Sequence, residues 1–129
     1  NEKAVLVQEM IKGQRELVVG LTRDPQFGPC VMFGLGGVFI EVLRDVTFRV
    51  CPIDVRDALE MVEEIRGKQL LEGYRGLPPA DKDALAKVLV RVSEVGIEHP
   101  EISEMDLNPT TVRGSSIKVV DARIIVSPQ

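Results

Sequence analysis

The chain has 129 residues, of which 44% are hydrophobic and 28% are charged, and its formal net charge at pH 7 is −4. This length and composition are typical of one globular domain with its own core. The acidic balance gives no electrostatic basis for binding nucleic acid or an anionic membrane, and no apolar run approaches the ~20 residues of a membrane span. We therefore expect no nucleic-acid partner, no membrane association and a cytoplasmic location.

The cysteines and the first residues add two expectations. Cys30 and Cys51 stand in apolar stretches without the Cys-x-x-Cys spacing, and we expect both to be reduced core residues. The chain begins Asn1-Glu2-Lys3 and enters an apolar stretch at once, without an initiator methionine. This beginning suggests a piece of a longer protein.

The first half of the chain is typical of β structure, because short apolar runs alternate with glycine-rich or charged turns. A turn is expected around residues 12–14. The predicted strands cover residues 4–7, 16–23, 30–33, 38–43 and 46–50.

Two amphipathic helices and a hairpin are predicted next. Asp54 is placed to cap a helix that ends before Gly67, and a second helix runs from near Asp81 to Gly96. The glycines and prolines of residues 70–79 exclude regular structure between the helices. The last strands cover residues 102–108 and 117–126, around a turn at 114–116. This order predicts an α+β fold in which a largely antiparallel sheet packs against two main helices.

Three oxygen-bearing side chains stand out on the last two predicted strands. Asp106 and Asn108 are two residues apart, so they share one face of their strand, and Asp121 lies on the neighbouring strand. Two carboxylates and an amide, with positions open for phosphate oxygens, form the kind of site that holds Mg²⁺ beside a nucleotide. The alternative is a pair of half-exposed strands whose polar residues meet solvent, with Pro109 marking a strand end.

Six sequence blocks, spread in order over the chain, carry a resemblance to a known family. The chain resembles the second half of the ATP-grasp domain of ADP-forming acyl-CoA (acetyl-CoA) synthetases, which are relatives of succinyl-CoA synthetase β subunits. The blocks are Val5-Leu-Val-Gln-Glu-Met10, Arg15-Glu-Leu-Val-Val-Gly20, Arg23-Asp-Pro-Gln-Phe-Gly28, Met32-Phe-Gly-Leu-Gly-Gly37, Leu71-Glu-Gly-Tyr-Arg-Gly76 and Glu104-Met-Asp-Leu-Asn-Pro109.

The resemblance implies roles for individual residues. The strand through Gln8, Glu9 and Met10 matches the segment whose backbone reads adenine. Glu16 matches the acidic residue that accepts hydrogen bonds from the ribose hydroxyls, and its alternative is a solvated strand residue. Asn108 and Asp121 match the Mg²⁺ ligands, and Asp106 matches an acidic residue that supports them. The implied cofactors are therefore ATP or ADP and Mg²⁺.

The resemblance also implies an activity and partners. The family converts acyl-CoA, ADP and phosphate into a carboxylic acid, ATP and CoA. The implied partners are the first half of the ATP-grasp domain, expected upstream of residue 1, and the CoA-binding and ligase domains or subunits of the same enzyme. Without them we expect the 129-residue piece to be inactive and to expose an apolar face that favours oligomers. The alternative is a nucleotide-binding regulatory domain of a synthetase-like protein acetyltransferase.

Some candidates remain open on sequence grounds. The glycines of residues 34–37 are either a turn or a phosphate cradle, with the turn favoured. Arg75 either fastens its loop to the domain, which is the role favoured, or contacts a phosphate or a neighbouring subunit. Arg23 and Arg123 are either ion-pair partners or phosphate ligands. His99, the only histidine, is expected to be solvated rather than phosphorylated.

Overall fold

The computed structural model describes residues 15–36, 45–73 and 76–127. In these residues six strands form one antiparallel sheet, and two α-helices pack against it. The predicted α+β class is confirmed. In chain order the elements are β1 (Arg15–Asp24), β2 (Gly28–Leu35), β3 (Val46–Val50), α1 (Val55–Glu64), a 3₁₀ helix (Lys68–Leu71), α2 (Lys82–Glu98), β4 (Ile102–Arg113), β5 (Ser116–Val119) and β6 (Ala122–Val126).

The sheet has the order β3-β2-β1-β4-β5, and β6 also pairs with β4. β4 therefore has two successive partners on its outer side, β6 along its first part and β5 along its last. The prediction of one strand over 117–126 is wrong, because the chain breaks at residues 120–121 into β5 and β6. The strands predicted at 4–7 and 38–43, and the turn at 12–14, lie outside the described residues.

Alternation along β1 separates the two faces of the sheet. Leu17, Val19 and Leu21 belong to the hydrophobic core with the helices, where each is at most 1% exposed. Their even-numbered neighbours, from Glu16 to Thr22, point to the opposite side, since side chains of a strand alternate between faces. We call this second side the open face.

Local signals account for the starts of both helices. Asp54 Oδ1 accepts a hydrogen bond from the Asp57 N–H at 2.8 Å. The Asp57 carboxylate in turn accepts one from the Asp54 N–H, so the two residues form a capping box. Asp81 caps α2 by accepting from the Ala84 N–H at 3.1 Å. The predicted N-cap Asp54 and the predicted start of α2 near Asp81 are both confirmed, because a cap depends on residues close in sequence.

The end of α2 was predicted incorrectly. The helix continues through Gly96 to Glu98, and a Cβ at residue 96 would come within 2.7 Å of a Leu21 methyl carbon. Gly96 is thus a close-approach position between α2 and β1. Arg23 closes this end by donating to the carbonyls of Gly96 (2.9 Å), His99 (2.8 Å) and Ile102 (2.6 Å). Arg23 therefore satisfies two carbonyls at the end of α2 and one at the start of β4, which matches neither role considered from the sequence.

A second arginine fastens the connection between the helices. Arg15 is 7% exposed, and its guanidinium donates to the carbonyls of Leu70 (3.1 Å), Glu72 (3.0 Å) and Pro78 (2.7 Å). Burial lowers the pKa of Arg15. These bonds attach the beginning and the end of the connection, at residues 70–72 and 78, to the start of β1. The expectation that residues 70–79 lack regular structure is wrong at their beginning, where the 3₁₀ helix includes residues 70 and 71.

Candidate functional site

The predicted metal residue Asn108 lies at a bulge in the middle of β4. Against β1, Leu17 pairs with Thr110 and Val19 pairs with Leu107, so Val18 stands opposite two residues, Asn108 and Pro109. Proline has no N–H to give to the ladder, and a bulge is where a sheet tolerates it. The Thr110 hydroxyl spans the bulge by donating to the Leu107 carbonyl at 2.9 Å. Pro109 is therefore not a strand end, and β4 continues to Arg113.

Asp121 lies across from this bulge, in the break between β5 and β6. The Asn108 N–H donates to the Asp121 carbonyl at 3.2 Å, and the Val120 N–H donates to the Pro109 carbonyl at 3.0 Å. Asp121 Oδ1 accepts from the Ala122 N–H at 2.9 Å, and the side chain is exposed. The structure thus joins the backbones of the two predicted metal ligands. We call Asn108 and Asp121 the corner.

The third predicted ligand, Asp106, precedes Asn108 by two residues in β4 and lies on the open face. It pairs with Gly20 of β1 on one side and with Arg123 of β6 on the other. Directly opposed residues of antiparallel strands share a face, so Gly20, Asp106 and Arg123 form one row. Met32 and Phe48 extend this row over β2 and β3.

A shallow depression of about 210 Å³ lies beside the corner on the open face. Its floor is opened by Gly20, where a Cβ would come within 3.2 Å of the Met32 methyl carbon. No site role was predicted for Gly20, Thr22, Met32 or Glu104, although alternation of side chains along the predicted strands 16–23, 30–33 and 102–108 was a signal that could have placed them on the face of Asp106. The lining residues are Val18, Gly20, Leu21, Thr22, Met32, Glu104, Met105, Asp106 and Asn108.

The charged groups around the depression are open to a ligand. Asp106 is half-buried and Glu104 is exposed, and neither carboxylate has an ion-pair or hydrogen-bond partner within the described ranges. In these ranges no three His, Cys, Asp or Glu side chains are grouped closely enough to hold a metal ion unaided. An ion at the corner would therefore need the Asn108 amide and oxygens from a ligand, as Mg²⁺ commonly does beside phosphates.

Glu16, the predicted ribose acceptor, lies at the start of β1 on the open face and is exposed. It pairs with Thr111 of β4, and its backbone carbonyl accepts from the Gly36 N–H at 2.9 Å. Its carboxylate has no partner in the described part of the chain, which leaves it available to hydroxyl donors. The predicted adenine residues Gln8, Glu9 and Met10 lie outside the described residues.

The remaining candidates do not gather around the corner. Gly34 lies inside β2 rather than in the predicted turn, and the Gly36 N–H is already bonded to Glu16. His99 follows α2, with Nδ1 3.1 Å from a Glu101 carboxylate oxygen. Burial raises the pKa of the Cys51 thiol, and Cys30 and Cys51 are both free. Arg75 and Gly37 lie outside the described residues.

Comparison with known proteins gives a match over nearly the whole chain. Residues 1–126 match the family model described as an ATP-grasp domain. The chain is 53% identical over 127 residues to the ADP-forming acetate–CoA ligase I of Archaeoglobus fulgidus, which covers 98% of this chain and 18% of that protein. It is 51% identical over 122 residues to the β subunit of the ADP-forming acetate–CoA ligase I of Pyrococcus furiosus, covering 95% and 53% of the two chains.

Solved structures agree with these matches. The dinucleotide-forming acetyl-coenzyme A synthetase 1 of Ca. Korarchaeum cryptofilum, in complex with coenzyme A and Mg-AMPPCP, superimposes with a TM-score of 0.87 at 53% identity. The match covers 92% of this chain and 56% of that one. This chain therefore spans about half, or less, of the length of these relatives. No helix in the described ranges is long and apolar enough to cross a membrane.

Proposed function

Because this chain belongs to the ATP-grasp family, we propose that it forms the Mg²⁺-ATP- or Mg²⁺-ADP-binding part of an ADP-forming acyl-CoA (acetyl-CoA) synthetase. The enzyme would be an acid–thiol ligase that couples cleavage of an acyl-CoA thioester to the formation of ATP from ADP and phosphate. The named relatives are ligases of this kind, and this chain corresponds to one segment of them. The proposal for the whole protein follows from that correspondence.

The single observation that carries the proposal is the corner. A strand break and a bulge face each other, and the Asn108 N–H bonds the Asp121 carbonyl at 3.2 Å. Bulges re-aim side chains, and they are common beside active sites. Asn108 lines the open depression and Asp121 is bonded to it through the backbone, so their amide and carboxylate would supply oxygen donors while the depression leaves room for a ligand.

The donors fit Mg²⁺. This ion prefers oxygen ligands and is usually held by one or two carboxylates together with substrate phosphates. Asn108 and Asp121 would hold it, with Asp106 in support one step along β4. When bound, Mg²⁺ offsets the charge on the nucleotide phosphates and orients them for phosphoryl transfer.

Residues beyond the metal site bind and orient the nucleotide. Glu16 lies at the start of β1, and its free carboxylate accepts hydrogen bonds from the ribose hydroxyls. The backbone through Gln8, Glu9 and Met10 reads the adenine edge. The nucleotide then runs along β1 from Glu16 toward Gly20, so that its phosphates reach the corner.

The proposed partners are the remaining parts of such an enzyme. They are the other half of the ATP-grasp domain and the CoA-binding and ligase domains, as separate subunits or in one chain. Relatives of both arrangements match this chain, since one is a β subunit and another is a much longer protein.

The test uses the full-length protein. Calorimetry is expected to show ADP and ATP binding that is tighter with Mg²⁺ than with EDTA, and incubation with acetyl-CoA, ADP and phosphate is expected to yield ATP and free CoA. Mg²⁺-nucleotide binding without ATP formation from any of several acyl-CoAs would contradict the synthetase assignment and favour a regulatory domain. No nucleotide binding would overturn the proposal as a whole.

A further inference from the structure

Arg123 places a cation on the open face beside the corner. Arg123 of β6 stands directly opposite Asp106 of β4, which in turn stands opposite Gly20 of β1. These three residues share a face, and Gly20 and Asp106 line the depression. Arg123 therefore lies at the outer end of the row that crosses the floor of the depression.

We propose that Arg123 binds the terminal phosphoryl group of the nucleotide, an assignment that rests on the function proposed above. The basis of the assignment is the order in which cross-strand rows of open-face residues follow one another along β1. The first row holds Glu16, the next holds Asn108 at the bulge, and the third holds Asp106 and Arg123. Successive rows are about 6.7 Å apart, because two residues of a strand span that distance. A nucleotide with its ribose at the first row and its metal at the second brings its last phosphate toward the third.

The charges around Arg123 support this assignment. Its neighbours are acidic, with Asp106 opposite it and Asp121 two residues before it. Over the rows from Val18 to Thr22, and within the described residues, Arg123 is the only lysine or arginine on the open face. A phosphoryl group entering between these carboxylates needs a cation besides the metal, and the guanidinium fork matches phosphate oxygens.

Arg123 is also free to act. It is exposed, and in the described part of the chain its guanidinium has neither an ion-pair nor a hydrogen-bond partner, although Asp106 is across from it. An exposed ion pair with Asp106 would contribute little, because water and salt screen it. A phosphate can accept charge-assisted hydrogen bonds from both arms of the guanidinium fork, so Arg123 is available to a nucleotide.

The experiment compares ATP with ADP in the full-length protein, because only ATP carries the group that Arg123 is proposed to bind. Dissociation constants for Mg²⁺-ATP and Mg²⁺-ADP are measured by calorimetry for wild type, Arg123→Ala, Arg123→Lys and the control Arg56→Ala. Arg56 is an exposed arginine of α1, on the helical side of the sheet. Arg123→Ala is expected to weaken ATP binding about 10- to 100-fold and ADP binding less than about threefold.

Arg123→Lys keeps the charge without the fork, so a smaller loss specific to ATP is expected, and Arg56→Ala is expected to match wild type. An unchanged ATP-to-ADP ratio in both Arg123 variants would overturn this assignment alone, whether both affinities fall or neither does. A wild type that binds neither nucleotide would overturn the proposed function and this assignment with it. Melting curves without nucleotide check that each variant is folded, and Arg123→Lys decides the outcome if Arg123→Ala is not.

Discussion

The backbone N–H of Asn108 donates to the carbonyl of Asp121 at 3.2 Å, across the point where β4 bulges and where the chain breaks between β5 and β6. Two irregularities therefore coincide in space. Each alone would look like a local defect in the sheet. Together they join the backbones of Asn108 and Asp121 beside the depression that Asn108 lines, which is the basis of the metal site proposed here.

Replacing Arg15 is expected to loosen the connection between the helices. Arg15→Met removes three donated hydrogen bonds and leaves the carbonyls of Leu70, Glu72 and Pro78 without their donor. Since bonds from charged groups are worth about 1.5–3 kcal/mol each and water replaces some of them, we expect a loss of about 2–4 kcal/mol. Thermal melting and limited proteolysis should show lower stability and new cleavage within residues 70–78. The control is Arg56→Met, which changes an exposed arginine of α1. Equal protease resistance in the two variants would contradict this role of Arg15.

A side chain at residue 34 is expected to destabilise the fold. A Cβ there would lie 2.5 Å from the Asp45 carbonyl oxygen and 2.6 Å from a Val46 methyl carbon, so backbone and a β-branched side chain would both have to move. Gly34→Ala should cost about 1–3 kcal/mol, as overpacking does. Gly73→Ala is the control, because its nearest neighbour would be an oxygen 3.7 Å away. Urea unfolding with equal midpoints for the two variants would refute the close-approach explanation.

The ion pair between Glu63 and Lys82 predicts a pH dependence of stability. The Lys82 ammonium donates to Glu63 at 2.5 Å, and this bond is the main reason that the pKa of Glu63 is below its usual value. A carboxyl whose folded pKa is depressed stabilises the fold above its unfolded pKa of about 4.3, and this contribution disappears as the pH falls through the folded pKa.

Lys82→Met is therefore expected to lower the melting temperature at pH 7, and the difference from wild type should shrink at about pH 3. The control Lys87→Met changes an exposed lysine of the same helix. A difference between wild type and Lys82→Met that stays constant from pH 7 to pH 3 would show that the contribution of Lys82 to stability does not come from its pairing with the Glu63 carboxylate.

Parts of the fold that depend on nearby residues were predictable from the sequence. Asp54 caps α1 as predicted, and α2 starts near Asp81 as predicted, since a cap bonds an N–H only a few residues away. The family resemblance is confirmed by the match over residues 1–126. The α+β class also followed, because the order of strands and helices restricts the possible layers.

Features that depend on distant partners were not predictable. The bulge at Pro109 exists because β4 pairs with β1 on both sides of Val18, and no local signal separates that from a strand end. Gly96 looked like a helix stop, but it lies inside α2 where β1 packs closely. Arg23 looked like a surface cation until its three carbonyl partners, each more than 70 residues away, were seen.

The most direct test of the metal site is the Mg²⁺ dependence of ADP binding to full-length wild type and Asp121→Asn. Asp121→Asn keeps the shape of the side chain and removes its charge. Wild type is expected to bind ADP more tightly as Mg²⁺ is raised, whereas Asp121→Asn should show little or no Mg²⁺ enhancement while its melting temperature without nucleotide stays the same or rises. If Asp121→Asn kept the wild-type Mg²⁺ enhancement of ADP binding, Asp121 would not be a metal ligand, and the polar residues of the corner would be solvated strand residues only.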